Sequence, residues 1–152
     1  MEKQIKETYY KAFLDLLEEK TALNPPDYEW ITRLYKEIKE RLKNLLRSNH
    51  PLALEIDEKL DPPLFKQMIE NNAFSGTDFY NLICYVFELC LKLGSPARDA
   101  EVNRRKTLVL ETLQAGGEKG TFAKLVPLFI LNANESIDFI YEDLEIFRKN
   151  KK

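Results

Sequence analysis

Histidine is nearly absent from this chain, with His50 alone among 152 residues, and only two cysteines, one tryptophan, five glycines and seven prolines accompany it. Each shortage excludes something. A hydroxyl or thiol nucleophile usually relies on a base held beside it, most often histidine. The one imidazole stands before Pro51 at an expected helix start, where capping or solvent exposure is its expected role. Cys84 and Cys90 are too few for a disulfide framework and lack the paired spacing of a zinc site. Six residues apart, they would stand about 240° apart on a helix and could not share a metal. A reduced compartment, the cytoplasm, is therefore expected, with no metal and no cofactor. Uncharged runs reach only about ten residues where a membrane helix needs about 20. The charged start, MEKQIKETYYK, lacks the apolar centre of a secretory signal.

Charge of one sign is missing as well. The 23 basic and 25 acidic residues leave a net of -2, so no overall field draws the chain to nucleic acid or anionic lipid. Its basic clusters, Arg104-Arg105-Lys106 and Arg148 through Lys152, do not interleave aromatics as single-strand binders do. Partners of neither class are expected. Hydrophobic residues nonetheless make up 44% of the chain, enough for a packed core, and a chain of this length buries roughly two thirds of its unfolded surface. One domain over residues 1–152 is expected.

The apolar spacing is helical throughout. Ile5, Tyr9, Ala12, Phe13 and Leu16 recur at steps of three and four, predicting a first helix with that face buried, stopped by Asn24-Pro25-Pro26. Asp27 caps a second, striped by Ile31, Leu34, Ile38, Leu42 and Leu45, with Glu29–Arg33 and Glu37–Arg41 as i, i+4 pairs. Two short helices follow, one from about Pro51 to Leu60 and one capped by Asp61 with Pro62 at its first position, ending near Asn71 and Asn72. The segment from Thr77 is apolar except for a stripe of Asp78, Asn81, Tyr85, Glu88 and Lys92, which predicts a helix surrounded by others and ended by Gly94. Ser95-Pro96 opens a more polar helix running to about Gln114, with Val102, Val109 and Leu113 inward. From Thr121, Val126, Ile130, Ala133, Ile137, Ile140, Leu144 and Phe147 keep one seam at steps of 4, 3, 4, 3, 4, 3, which predicts a single long helix containing Pro127. The expected fold class is all-α, a bundle of about seven helices.

Little chemistry is legible. Gly116 through Thr121, GGEKGT, has the residues of a phosphate cradle, but Gly120 separates Lys119 from Thr121 and no strand precedes it, so a plain loop is expected. Glu18-Glu19, Glu142-Asp143 and Glu145 read as solvated carboxylates. Arg98 differs, because a cation in the first turn of a helix opposes the helix dipole and implies a carboxylate or carbonyl partner elsewhere. Its leading role is a tether at the corner between the fifth and sixth helices. The alternative is a binding site for a small ligand or nucleotide formed by Lys92, Arg98 and Asp99. An enzyme is not expected.

Several strings carry a family resemblance. Pro26-Asp27-Tyr28, Leu34-Tyr35-Lys36-Glu37-Ile38-Lys39-Glu40, Asn49-His50 with Leu54, Ile56 and Leu60-Asp61, Leu64-Phe65-Lys66-Gln67 with Glu70-Asn71, and Leu93-Gly94-Ser95-Pro96-Ala97-Arg98-Asp99 stand in order, followed by Val126-Pro127-Leu128-Phe129. This series resembles the t-complex protein 11 family of helical proteins. Gly94-Ser95 replaces the family's usual Cys-Ala, and Ala100 interrupts the acidic pair after Arg98. Family members are typically much longer, so the resemblance covers the first part of their helical domain and implies a minimal or divergent form, viral or microbial. It also implies a non-enzymatic interaction or regulatory protein linked to cyclic-AMP and protein kinase A signalling. The expected partner is another protein, or a second copy in a homo-oligomer, held through an exposed apolar helix face.

Overall fold

The computed structural model of the protein describes residues 2–23, 25–115 and 121–150. The GGEKG segment, with the phosphate-cradle and loop readings attached to it, lies outside the described residues, as do Met1, Asn24 and the last two lysines. Among the described residues there are seven α-helices and no strand: α1 (Glu2–Ala22), α2 (Tyr28–Lys43), α3 (Pro51–Lys59), α4 (Pro62–Glu70), α5 (Gly76–Leu93), α6 (Asp99–Ala115) and α7 (Thr121–Asn150). A single 3-10 turn, Pro96–Arg98, precedes α6. The all-α reading holds.

Side-chain caps set the boundaries, because the first amides of a helix have no partner within it. Asp27 accepts the Trp30 amide at 3.1 Å, Asp61 the Leu64 amide at 3.1 Å, and His50 Nδ1 the Leu52 amide at 3.0 Å. His50 is thus a cap. At α5, Ser75 and Asp78 form a reciprocal capping box, one residue earlier than the expected start. α4 closes with Asn72 in the left-handed region (φ 53°). The Ala73 amide then donates back to the Met68 carbonyl at 2.8 Å and the Asn72 amide to Ile69 at 3.3 Å, the two bonds of a Schellman motif.

Gly94 ends α5 as expected but for a different reason. Its φ of −93° is open to any residue. A Cβ there would lie 2.7 Å from the Cys90 carbonyl oxygen in the last turn of α5, too close for a side chain, with Ile140 Cγ1 of α7 in ordinary contact at 3.4 Å.

One contiguous core joins the helices. α5 contributes Phe79, Leu82, Ile83, Val86, Phe87, Leu89 and Cys90 to it. α7 packs on α1, α2, α5 and α6, and α2 on α1, α3, α4 and α7. The seam of α7 is buried from Leu125 to Ile140 and then outgrows the bundle, leaving Leu144 and Phe147 exposed.

α1 is rotated from the expected orientation. Of the expected face Phe13 packs against the core, alongside Tyr10 and Leu14, and Leu17 and Thr21 are buried, while Ile5 is 69% and Tyr9 63% exposed, with Ala12 and Leu16 also outside. At 100° per residue the two rows lie roughly 120° apart, and only one can face α7. Polar anchors select it: Lys6 pairs with Glu142, and the Tyr10 hydroxyl donates to Asp138.

Candidate binding surfaces

Three arginines from different elements converge on one stretch of α7. Arg41 of α2 donates to Asn134 Oδ1 at 2.8 Å and pairs with Asp138, its guanidinium 5.3 Å from the Tyr141 ring centre. Tyr141 returns a bond from its hydroxyl to the Arg41 carbonyl at 2.6 Å. Arg105 of α6 donates to Asn132 Oδ1 at 3.0 Å and pairs with Glu135 at 2.9 Å. Its Nε lies 3.2 Å from Glu101 without the alignment of a hydrogen bond.

Arg98 is the third. Its Nη2 reaches Asp143 at 3.0 Å and Glu142 at 3.3 Å, its Nε donates to Asp143 at 3.3 Å, and the guanidinium sits 4.5 Å from the centre of the Phe139 ring. Hydrogen bonding to Asp143 raises its already high pKa further. Glu142 and Asp143 are therefore not merely solvated. The expected i, i+4 pairs on α2 also go elsewhere, Glu29 to Lys66 and Arg41 to Asp138. Across α7, charge is spent on joining helices.

Among the described residues, no hydrogen bond or ion pair draws Lys92, Arg98 and Asp99 into one site. Asp99 is half-buried at the start of α6, beside Arg98. Lys92 is exposed on the outer stripe of α5, and among the described residues no ion pair joins it to either. No group of three or more His, Cys, Asp or Glu side chains among the described residues could hold a metal ion. No helix there is long and apolar enough to cross a membrane.

Two other surfaces have the form of binding sites. The first is the outer row of α1, where Ile5, Tyr9, Ala12 and Leu16 recur at steps of 4, 3 and 4, and the register continues through Glu19 to exposed Leu23. This is the spacing of a helix-pairing seam. Glu19 falls within this register, and exposed Lys6 and Asp15 lie on either side of it.

The second is a groove of about 480 Å³ between the α3–α4 corner and α5. Its wall is aromatic: Tyr35 stacks on Phe65 at 4.2 Å between ring centres, and Phe65 meets the edge of Phe74 at 5.2 Å. Leu64 stands half exposed at the lip. Asp61, Asp78 and Glu88 line it against a single Lys59, with Asn81 between them in sequence. Sequence reasoning missed this groove, since its walls come from α2, the α3–α4 corner, the loop at Phe74 and α5. Its one legible signal is the polar stripe of α5.

A family model described as T-complex protein 11 matches residues 1–129. The chain is 38% identical over 110 residues to T-complex protein 11 homolog of Homo sapiens, covering 71% of this chain and 21% of that protein. It is 34% identical over 109 residues to the human T-complex protein 11-like X-linked protein 1, with the same coverage, and 30% identical over 106 residues to T-complex protein 11 of Mus musculus, covering 69% of this chain and 18% of the mouse protein. The chain thus spans about a fifth of the length of the curated relatives it matches. No solved structure matches it.

Proposed function

The chain belongs to the T-complex protein 11 family, and from that premise we propose that it is a non-enzymatic interaction module of the cytoplasm whose working surface is the outer row of α1. The observation that carries this reading is the solvent-facing register of Ile5, Tyr9, Ala12 and Leu16, a seam without a partner helix among the described residues. Such a row is normally buried against apolar positions of the same spacing.

The occupant is an amphipathic helix of another protein, whose apolar row places a lysine or arginine opposite Glu19. A second copy fits less well, because Glu19 occupies the seam and the row Ile5, Tyr9, Ala12, Leu16 and Leu23 of another copy offers it no cation. The family resemblance implies a component of cyclic-AMP or protein kinase A signalling, which makes purified protein kinase A subunits the first probes. We read the family's missing catalytic motifs as its ordinary condition.

The test joins light scattering with affinity capture from the native host. A monomer that retains a defined protein, loses it on Ile5→Glu with Tyr9→Glu, and loses it at high salt supports the proposal. A dimer whose mass halves with the same substitutions overturns the choice of occupant. Retention of every captured protein by the double variant overturns the surface.

A further inference from the structure

We infer that the groove between the α3–α4 corner and α5 is a second peptide-binding site, which takes a segment presenting one bulky apolar side chain flanked by lysine or arginine. It uses no residue of the α1 row and stands independently of that reading.

Form comes first. A volume of about 480 Å³ lies within the range of roughly 300–1,000 Å³ that ligand sites occupy, with apolar walls and few polar groups. Its walls are held from behind, because Tyr35, Phe65 and the inward side of α5 belong to the buried core. Phe74 is fixed edge-on between Phe65 and Phe79, with the Phe79 ring centre at 4.7 Å. The cleft is thus shaped before anything enters it, which lowers the ordering cost of binding.

Charge then selects the occupant. Asp61 and Asp78 each accept a backbone amide, from Leu64 at 3.1 Å and from Ser75 at 2.9 Å, so helix capping fixes both carboxylates. Glu88 is largely exposed, and its contact with Lys106 is long at 3.8 Å. Glu55 adds a fourth carboxylate beside the cleft, accepting the Tyr85 hydroxyl at 3.1 Å. Among the described residues Lys59 is the only cation lining the groove. A segment with cations beside an apolar anchor meets carboxylates here, whereas an acidic one is repelled.

Cys84 supplies a built-in reporter. It lines the groove and is half-buried, while Cys90 is buried. The experiment uses a short fluorescein-labelled peptide with one tryptophan flanked by lysines, which has no apolar row for the α1 surface, and the same peptide with glutamate in place of lysine. We expect the lysine peptide to bind with a salt-dependent affinity and to slow alkylation of Cys84 by iodoacetamide. The glutamate peptide should bind at least tenfold more weakly. Leu64→Glu and Glu88→Lys alter exposed side chains and should each lower affinity about tenfold with unchanged circular dichroism. Ile5→Glu with Tyr9→Glu should leave this affinity unaltered, which separates a failure here from a failure of the α1 proposal. Equal binding of the two peptides, no binding of the lysine peptide, or binding that neither protects Cys84 nor responds to the groove substitutions overturns the inference.

Discussion

Arg98 grips Asp143 through Nε and Nη2 and reaches Glu142 while lying over Phe139, so one side chain ties the start of α6 to the far part of α7. Arg98→Ala should lower stability by about 1–2 kcal/mol, the sum of a partly exposed ion pair and a cation–π contact. In a chain of this size that is a fall in Tm of roughly 2–8 °C by calorimetry. Arg98→Lys should recover less than half, since an ammonium cannot span the carboxylate as a planar fork does. An unchanged Tm for the alanine variant would remove the tether. That Arg98 needed a distant acceptor was legible in the sequence, because its position opposes the helix dipole. Which carboxylate it takes was not, since Glu142 and Asp143 lie more than forty residues away among many other acidic groups.

At the scale of elements, two tight endings in this fold make opposite demands on their residues. Asn72 sits at a positive φ that glycine reaches without strain, so Asn72→Gly should be neutral or stabilise by up to about 1 kcal/mol. Gly94 has ordinary dihedrals but no room, and Gly94→Ala should cost about 1–3 kcal/mol as the new methyl forces the residue away from the Cys90 carbonyl oxygen. Urea unfolding of the two variants, read as midpoints at constant slope, checks the pair. A costly Asn72→Gly or a neutral Gly94→Ala would contradict it. Helix limits were largely legible because Asp27, His50, Asp61 and Ser95 are local signals, each bonding an amide two or three residues ahead. The orientation of α1 was not legible. It carries two apolar rows, and spacing alone cannot say which of them meets Lys6 and Tyr10's partners on α7.

Over the whole molecule, the groups whose ionisation is most strongly suppressed are buried phenols and a thiol, not carboxylates. Burial pushes the Cys90 thiol up to about 12. It likewise raises Tyr35, Tyr10 and Tyr85, with Asp138 and Glu55 as hydrogen-bonded neighbours adding to the last two. Each is raised above its unfolded value, so its contribution is complete below that value and is lost as pH climbs toward the folded one. Stability should therefore decline from about pH 9 through Cys90 and more steeply from about pH 10 through the tyrosines. Denaturant midpoints measured alongside tyrosinate absorbance check this, and Cys90→Ala should delay the onset without removing the steeper part. A midpoint that is flat up to pH 11 would refute it. The acid limb should be shallow, because the carboxylates held low, Asp57 by Lys43, Glu29 by Lys66 and Glu101 by Arg104, are at the surface.

The pairing of α1 with α7 also has a history in time. Lys6 meets Glu142 across 136 positions of chain, and Tyr10 meets Asp138 across 128. During synthesis, at about 5–20 residues per second, α1 leaves the ribosome many seconds before its neighbour exists. Until α7 has been made, the part of Tyr10, Phe13, Leu14 and Leu17 that α2 does not cover lies open beside Ile5 and Tyr9, so the nascent helix is apolar on two sides. A nascent-chain chaperone meets a stickier α1 than any mature partner does, and the arrival of α7 marks the moment when one of those sides closes.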